Sequence, residues 1–196
     1  KNAKKDFELA ADLSQTYVWL HRYFKSGLAP DDSLTNLPGP RRNLTKSDSN
    51  SDDFLKVTIQ KNVFKLRPET VESLFWLWKF TGDVKYRKSA WEIFKAINRT
   101  CRVGNGFTSV FNIEKEKPDF GDEMESFFLA ETLKYLYLIF SESSFLSPVD
   151  WVFNTEAHPF KMLSKETVKK ISDLLEIGNE KSGYEIKNDV KKHVVK

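Results

Sequence analysis

Three short segments bring charged and hydroxyl-bearing side chains close enough in sequence to do chemistry together. The first, residues 154–159, reads Asn-Thr-Glu-Ala-His-Pro and holds a hydroxyl at Thr155, a carboxylate at Glu156 and an imidazole at His158. A hard cation takes oxygen ligands, and one residue can offer both a hydroxyl and a carbonyl while waters complete the shell. Thr155 is therefore a candidate cation ligand. His158 is predicted to be structural, since a chain with three histidines shows no zinc ligand pattern.

The second segment, residues 67–73, reads Arg-Pro-Glu-Thr-Val-Glu-Ser. The guanidinium of Arg67 can fork onto a carboxylate or onto sugar hydroxyls. Glu69 and Glu72 are three positions apart and share one face of a helix. They are candidates for site carboxylates, but they also fit ordinary first-turn acids that stabilise a helix N-terminus. The residues alone leave both interpretations open.

The third segment, residues 124–132, sets two carboxylates into an apolar stretch that is expected to be a buried helix. Glu125 and Glu131 would then be partly desolvated, which is costly without a partner. Phe127 and Glu131 are four apart, so an aromatic ring would lie beside an acceptor, as suits a sugar ring. Alternatively, Glu131 pairs with an arginine and only holds helices together. Glu69, Glu131 and Glu156 are the candidates to orient the waters of a cation at Thr155.

The elements that must position these side chains are mostly helical. Apolar spacing, Gly and Pro positions and capping residues predict their bounds. Helices are expected at 6–25, 68–80, 83–97, 122–140 (the longest) and, weakly, 165–177; extended pieces are expected at 57–59, 63–64, 107–113 and near Phe153. Residues 36–53 are predicted to be a polar loop. Paired helices with small extended pieces fit an α/α toroid better than a bundle.

Composition excludes two classes of partner or location. The net charge of +3 arises wholly in residues 161–196, which hold nine lysines against six acids, so no basic nucleic-acid-binding face is expected. No apolar run is long enough to span a bilayer.

Asn43 and Asn98 each begin a glycosylation acceptor pattern, usable only in a secretory lumen. The single Cys101 is predicted to be a buried thiol, or else to pair with a cysteine outside this chain.

In this order and at these separations, the three segments resemble the C-terminal half of the class I α-1,2-mannosidases, glycoside hydrolase family 47, over residues 6–159. The resemblance implies part of an (α/α)7 barrel of paired helices with a β-hairpin, spanning residues 1–160, followed by a basic, partly helical tail at 161–196. It implies calcium-dependent, inverting hydrolysis of terminal α-1,2-linked mannose from high-mannose N-glycans, in the endoplasmic reticulum or the Golgi.

The family's motifs assign roles position by position. The threonine of the Asn-Thr-Glu-Ala-His-Pro motif supplies the direct protein ligands to Ca²⁺, which implies that role for Thr155. The glutamate of the Arg-Pro-Glu-Thr motif is a favoured general base, which falls on Glu69. The positions that line the sugar subsite or brace the calcium waters match Arg67, Glu72, Glu125, Phe127, Glu131 and Glu156.

The chain also departs from the family pattern. The family's general acid and a second catalytic carboxylate lie in the N-terminal half, to which nothing here corresponds. We therefore expect this chain alone to be inactive and to need that half as a partner, which would also carry any membrane anchor. Tyr17 stands where many members have a disulfide cysteine.

Two other functions compete with the enzyme. One is a mannosidase-like quality-control factor that targets misfolded glycoproteins for degradation. The other is a non-catalytic helical interaction module, for which calcium should neither bind nor raise thermal stability.

Overall fold

The computed structural model describes residues 2–35, 57–142 and 144–182. Within them, helices pack around one apolar core and four small antiparallel sheets lie among them. The helices are α1 (Ala3–Tyr23), α2 (Glu69–Thr81), α3 (Val84–Thr100), α4 (Lys134–Phe140) and α5 (Lys165–Ser182), and a π-helical segment, Phe128–Leu133, leads directly into α4. The chain is thus helix-rich, as predicted, and these residues do not by themselves form a closed barrel.

The strands are short, and all their pairings except that of β3 with β6 join strands that follow one another along the chain. They are β1 (Asp32–Thr35), β2 (Val57–Lys61), β3 (Val63–Phe64), β4 (Arg102–Val103), β5 (Gly106–Phe107), β6 (Val110–Phe111), β7 (Asp119–Phe120), β8 (Trp151–Phe153) and β9 (Pro159–Lys161). β1–β2, β4–β5 and β8–β9 are two-stranded, and β3, β6 and β7 form one sheet in that order. The predicted β-hairpin is present as β8–β9, and its turn carries Thr155.

Helix α2 lies at the centre because it packs against α1, α3 and α4. Its Phe75 is fully buried, and the ring of Tyr135 from α4 lies 5.5 Å from it, centroid to centroid. Phe153 of β8 packs edge-on against the same Phe75 ring. These contacts tie the middle of α2, the helix α4 and the β8–β9 hairpin to one core.

The ends of α2 and α3 follow the predicted signals. Gly82 has a φ of 68°, and its N–H donates to the Trp78 carbonyl, which terminates α2. Asp83 then caps α3 by accepting from the Lys85 amide at 2.9 Å. Cys101 is buried and free, which confirms the predicted buried thiol. Asn98 lies exposed on α3, whereas Asn43 and the rest of the loop predicted at 36–53 fall outside the described residues.

Two predicted elements were wrong. The strand expected at 107–113 is split into β5 and β6, because Thr108 and Ser109 between them bond elsewhere: the Thr108 amide donates to the Cys101 carbonyl and the Ser109 amide to the Glu123 carbonyl. The helix expected from residue 122 begins only after Glu125, since Asp122 has a left-handed φ of 57°. The longest helix is α1, with 21 residues.

The burial predicted for the helix after Glu125 is also incomplete. Leu129, Tyr137 and Phe140 remain exposed. An apolar groove of about 480 Å³ lies between α3 and α4, and it is lined by Trp91 and Phe94 of α3 and by Tyr137 and Phe140 of α4.

Among the described helices, none is long and apolar enough to cross a bilayer.

Candidate active site

The side chain of Arg67 is held in place by Asp31, in the segment between α1 and β1. Its Nε donates to Oδ2 of Asp31 at 2.9 Å, and the other carboxylate oxygen of Asp31 accepts from the Lys65 amide at 3.0 Å. The Asp31 side chain is only 6% exposed, while that of Arg67 is 44% exposed. Bonding to this carboxylate raises the pKa of Arg67 further above its ordinary value. Residues 65–72, which Asp31 fixes at these two points, are called the Arg67 arm below.

Arg67 brings two of the predicted site residues together. Its Nη1 lies 3.6 Å from Oε1 of Glu69, at the first position of α2. Its guanidinium carbon also lies 5.7 Å from the centroid of the Phe127 ring, within the range of a cation–π contact. A carboxylate, a guanidinium and an aromatic face therefore lie side by side at the surface. This combination can bind the hydroxyls and the apolar face of a sugar.

A buried hydrogen bond ties the Arg67 arm to the π-helical segment. The hydroxyl of Thr132 donates to the Leu66 carbonyl at 2.6 Å, and Leu66 has a φ of 61°, in the left-handed region that is costly for leucine. Thr132 and Leu66 are both fully buried, so the bond is shielded from water. π-helical turns often mark functional sites, and this one carries Glu131.

Glu131 lies among other carboxylates. Burial raises its pKa above the ordinary value, and the charges of Glu72, Glu156 and Glu69 raise it further, while Lys134 opposes them. Glu72 in turn accepts from the Tyr135 hydroxyl at 3.1 Å. The alternative in which Glu131 pairs with an arginine gains no support, because glutamates and one lysine account for the charges that shift its pKa. Four of the five predicted glutamates, Glu69, Glu72, Glu131 and Glu156, thus form one acidic cluster, drawn from α2, the π-helical segment and the β8–β9 turn.

The turn of residues 154–158, called the Thr155 turn below, is built on one asparagine side chain. Oδ1 of Asn154 accepts from the amides of Glu156 and His158, at 3.0 and 2.8 Å. The backbone closes with bonds from Asn154 to the His158 carbonyl and from Ala157 to the Asn154 carbonyl. Thr155 and Glu156 are exposed, and Ala157 is fully buried. The turn therefore presents the Thr155 oxygens to a ligand from a locally ordered backbone.

Glu125 differs from the other predicted carboxylates in having a lysine partner. The Lys65 ammonium lies 3.4 Å from Oε1 of Glu125 and 3.1 Å from Oε2 of Glu123. These bonds raise the pKa of Lys65. Glu125 precedes the helix rather than lying on it, so its position depends on this ion pair and not on helical spacing.

The donor set suits a hard cation that is held largely through water. Across the described ranges, no group of three His, Cys, Asp or Glu side chains is placed to bind a metal directly. Thr155 offers a hydroxyl and a carbonyl, and the crowded carboxylates around Glu131 would be relieved by a positive charge. The residues present therefore fit calcium better than zinc.

A cavity of about 520 Å³ opens beside the Arg67 arm. Its walls include Arg67, Glu69, Asp31 and His21, together with Tyr17 of α1. Thr155 and Glu131 do not line it. The cavity thus extends from the Arg67–Glu69 side of the acidic cluster and away from the Thr155 turn.

Sequence reasoning missed three residues that hold the site: Asp31, Lys65 and Lys134. Asp31 is 36 positions from Arg67, so its pairing depends on the tertiary fold and no local pattern indicates it. Lys134 was within reach of prediction, because it follows Glu131 by three positions on a helix. It donates to the Ala157 carbonyl of the Thr155 turn at 2.8 Å.

Comparisons with known proteins agree on one family. The family model described as glycosyl hydrolase family 47 matches residues 1–162. The human endoplasmic reticulum mannosyl-oligosaccharide 1,2-α-mannosidase is 45% identical over 156 residues, 78% of this chain. The mannosyl-oligosaccharide α-1,2-mannosidase IA of Spodoptera frugiperda is 49% identical over 113 residues, 58% of this chain.

The solved structures agree. The α-1,2-mannosidase from Trichoderma reesei matches with a TM-score of 0.65 and 34% sequence identity over 77% of this chain. The match covers 33% of that structure, and those with the human and the insect relatives cover 21% and 17% of their lengths. The matched part of the chain thus spans about a sixth to a third of the length of these relatives.

Proposed function

This chain belongs to glycosyl hydrolase family 47, and from that premise we propose that it supplies one part of the active site of an enzyme that removes terminal α-1,2-linked mannose from high-mannose N-glycans. The observation that carries the proposal is the convergence of Arg67, Glu69 and Phe127 beside the acidic cluster around Glu131. The names of the similar proteins, which are mannosyl-oligosaccharide 1,2-α-mannosidases, indicate the substrate class.

The rest of the site is proposed to come from polypeptide that corresponds to the part of the relatives not covered by this chain. Hydrolysis of a glycosidic bond requires a second carboxyl group that protonates the leaving oxygen. We assign that acid to the complementary polypeptide, and we propose that both parts together form the (α/α)7 barrel. The exposed apolar groove between α3 and α4 supports such packing.

Glu69 is proposed as the general base of an inverting reaction. It is exposed at the start of α2, and within residues 2–35, 57–142 and 144–182 its one ion pair is the 3.6 Å contact with Arg67, so its carboxylate is open to a water molecule. Glu69 takes a proton from that water, whose oxygen bonds to the anomeric carbon as the bond to the leaving oxygen breaks. The leaving oxygen takes its proton from the acid on the complementary polypeptide, and the mannose product has the inverted configuration.

The other predicted residues bind and orient the substrate. Arg67 can donate to sugar hydroxyls from its remaining N–H groups, because Asp31 occupies only Nε. Phe127 offers an apolar face next to it, and Glu125 is positioned as an acceptor by Lys65.

Thr155 is proposed to hold Ca²⁺ through its hydroxyl and carbonyl, with Glu72, Glu131 and Glu156 orienting waters around the ion. When bound, the ion would orient sugar hydroxyls and the attacking water and offset the charge of the acidic cluster.

We place the enzyme in the lumen of the secretory pathway, in the endoplasmic reticulum or the Golgi. The substrate is a glycan that occurs in that lumen, and a relative carries the endoplasmic reticulum in its name. Asn98, on the last turn of α3, has an exposed side chain and is accessible to glycosylation.

The test uses the reconstituted catalytic domain, meaning this chain together with the complementary polypeptide. We expect mannose release from a high-mannose N-glycan, loss of release with EDTA, and initial formation of the β-anomer by proton NMR. Glu69→Gln is expected to lower the rate by about 10²–10⁴-fold, the range for loss of a general base. Glu116→Gln, on an exposed loop outside the site, is the matched control.

Full activity of Glu69→Gln would overturn the assignment of the base. A reconstituted domain that binds the glycan but releases no mannose would instead support the quality-control function.

A further inference from the structure

Lys134 connects two parts of the acidic cluster that come from separate elements. It is the first residue of α4, directly after the π-helical segment that carries Glu131. Its ammonium group donates to the Ala157 carbonyl at 2.8 Å, across 23 positions of sequence. We propose that Lys134 is a positioning residue that fixes the Thr155 turn against the helix carrying Glu131.

The geometry of the turn explains why an outside anchor is needed. The bonds within the turn run from Asn154 to the amides of Glu156 and His158 and between the backbones of Asn154, Ala157 and His158. They fix the shape of the turn but not its place relative to Glu131. Phe153, directly before the turn, packs against Phe75 and Tyr135 and holds the hairpin on the core, and Lys134 adds a hydrogen bond from α4 to the turn itself. Ala157 is the one fully buried residue of the turn and has a left-handed φ of 56°. The bond from Lys134 thus reaches the turn where it is packed against the protein.

The charge of Lys134 serves the same arrangement. It lowers the pKa of Glu131, against the effect of Glu72, Glu156 and Glu69. A neutral donor at this position would hold the turn while leaving the four carboxylates to repel one another. A lysine both brings Glu131 and Glu156 together and reduces the cost of doing so.

The consequence for the proposed calcium site is that Lys134 sets the affinity without contacting the ion. It would keep the Thr155 oxygens in register with Glu131, whose waters complete the shell. The effect of Lys134 on calcium affinity rests on the proposed function, whereas its placement of the turn does not.

The experiment compares Lys134→Met and Lys134→Arg in the reconstituted catalytic domain. Met keeps the length of the side chain and removes the donor, whereas Arg keeps a donor and the charge. Lys65→Met is the control, since it removes another lysine that faces site carboxylates without contacting the turn. Amide hydrogen exchange is measured for a peptide covering 154–158, and calcium affinity by titration calorimetry.

We expect Lys134→Met to speed exchange of the Glu156 and His158 amides by about tenfold or more, from the loss of a charged hydrogen bond. Calcium affinity should fall by about 10–100-fold, the usual effect of removing an outer-shell partner. Lys134→Arg should keep most of the protection from exchange and most of the calcium affinity of the wild type. Lys65→Met should leave exchange in the turn unchanged.

The failures can be told apart. Unchanged exchange in the Lys134→Met turn would overturn the positioning role. Faster exchange with wild-type calcium affinity would overturn its link to the ion. If the wild-type domain binds no calcium, the calcium part of the proposed function fails, while the exchange measurement still decides whether Lys134 fixes the turn.

Discussion

The Arg67 arm and the Thr155 turn lie on two sides of the same acidic cluster, and the protein holds them in different ways. The arm is fixed by a buried carboxylate, Asp31, and by the buried Thr132 hydroxyl. The turn is exposed, and its order comes from its own Asn154 and from one lysine. The arm therefore depends on the global fold, and the turn depends mainly on local bonds.

This difference indicates when each part becomes ordered. Hydrogen bonds to buried groups, such as the Asp31 carboxylate and the Thr132 hydroxyl, open only with large structural changes, whereas exposed turns open locally at low cost. The arm, with Arg67 and the proposed base Glu69, is expected to be preorganised before any ligand binds. The turn, with Thr155, is expected to be the part that a bound ion stabilises. The following predictions test this contrast through the free energy of unfolding in calcium-free buffer.

The largest effect is expected at Asp31. Both of its carboxylate oxygens accept hydrogen bonds, from Arg67 Nε and from the Lys65 amide. In Asp31→Asn, an NH₂ group must replace one of those oxygens and face a donor. We expect the free energy of unfolding to fall by about 2 kcal/mol, limited by the solvation of the half-exposed Arg67. Chemical denaturation of the reconstituted domain measures it.

Asp32→Asn is the matched control, because Asp32 is the next residue and lines the same cavity. It should change stability by less than about 0.5 kcal/mol. Equal effects of the two substitutions would show that the arm is not anchored through Asp31.

A second, smaller effect is expected from acid. His21 is buried on α1, with its Nδ1 3.1 Å from the Gly27 carbonyl and 3.2 Å from the Ala29 amide, just before Asp31. Burial lowers its pKa from 6.5 to about 4, against the opposing effect of the bond to Gly27. Below pH 6.5 the unfolded chain therefore binds a proton that the folded chain does not. Stability contributed by neutral His21 should be lost as the pH falls, by roughly 1.5 kcal/mol between pH 6.5 and 5.

Denaturant unfolding of wild type and of His21→Gln at several pH values measures this contribution. The variant should be less stable near pH 7 and should lose less stability on acidification. If the free energy of unfolding changed with pH in the same way for both proteins, this prediction would be contradicted. His21 supports the segment before Asp31. As the pH is lowered, amide hydrogen exchange in the Arg67 arm should therefore increase at a higher pH than exchange elsewhere in α2.

The same contrast determines how much of the molecule the sequence could predict. The bounds of α2 and α3 follow from the local signals at Gly82 and Asp83, so they were predicted. The residues around Phe153 were predicted only as a short strand or turn leading into the Thr155 motif, and the structure has a β-hairpin there. The family motifs were recognisable because they are contiguous in sequence. The bond between Asp31 and Arg67 was not predictable, since it joins positions far apart whose types are common on any surface.

The misplaced helix start shows a second limit. The apolar pattern continues through Met124, but the Glu123 backbone accepts from the Ser109 amide and donates to the Thr108 hydroxyl instead of joining the helix. Tertiary hydrogen bonds thus decide where the helix begins, and they also place Glu125 beside Lys65 instead of on a helical face. The π-helical segment likewise has no sequence signal that distinguishes it from an α-helix.

The smallest effect is expected at Thr155, and it completes the contrast. Thr155 is exposed, and its hydroxyl makes no hydrogen bond to another side chain in the part of the chain that the structure describes, so Thr155→Ala should change stability by less than about 0.5 kcal/mol without calcium. With calcium, the wild-type domain should gain thermal stability and this variant should not, because a ligand stabilises only the state that binds it. Differential scanning calorimetry with and without calcium measures both quantities. A variant that is destabilised equally in the two buffers would mean that Thr155 supports the fold, and the turn would then resemble the arm.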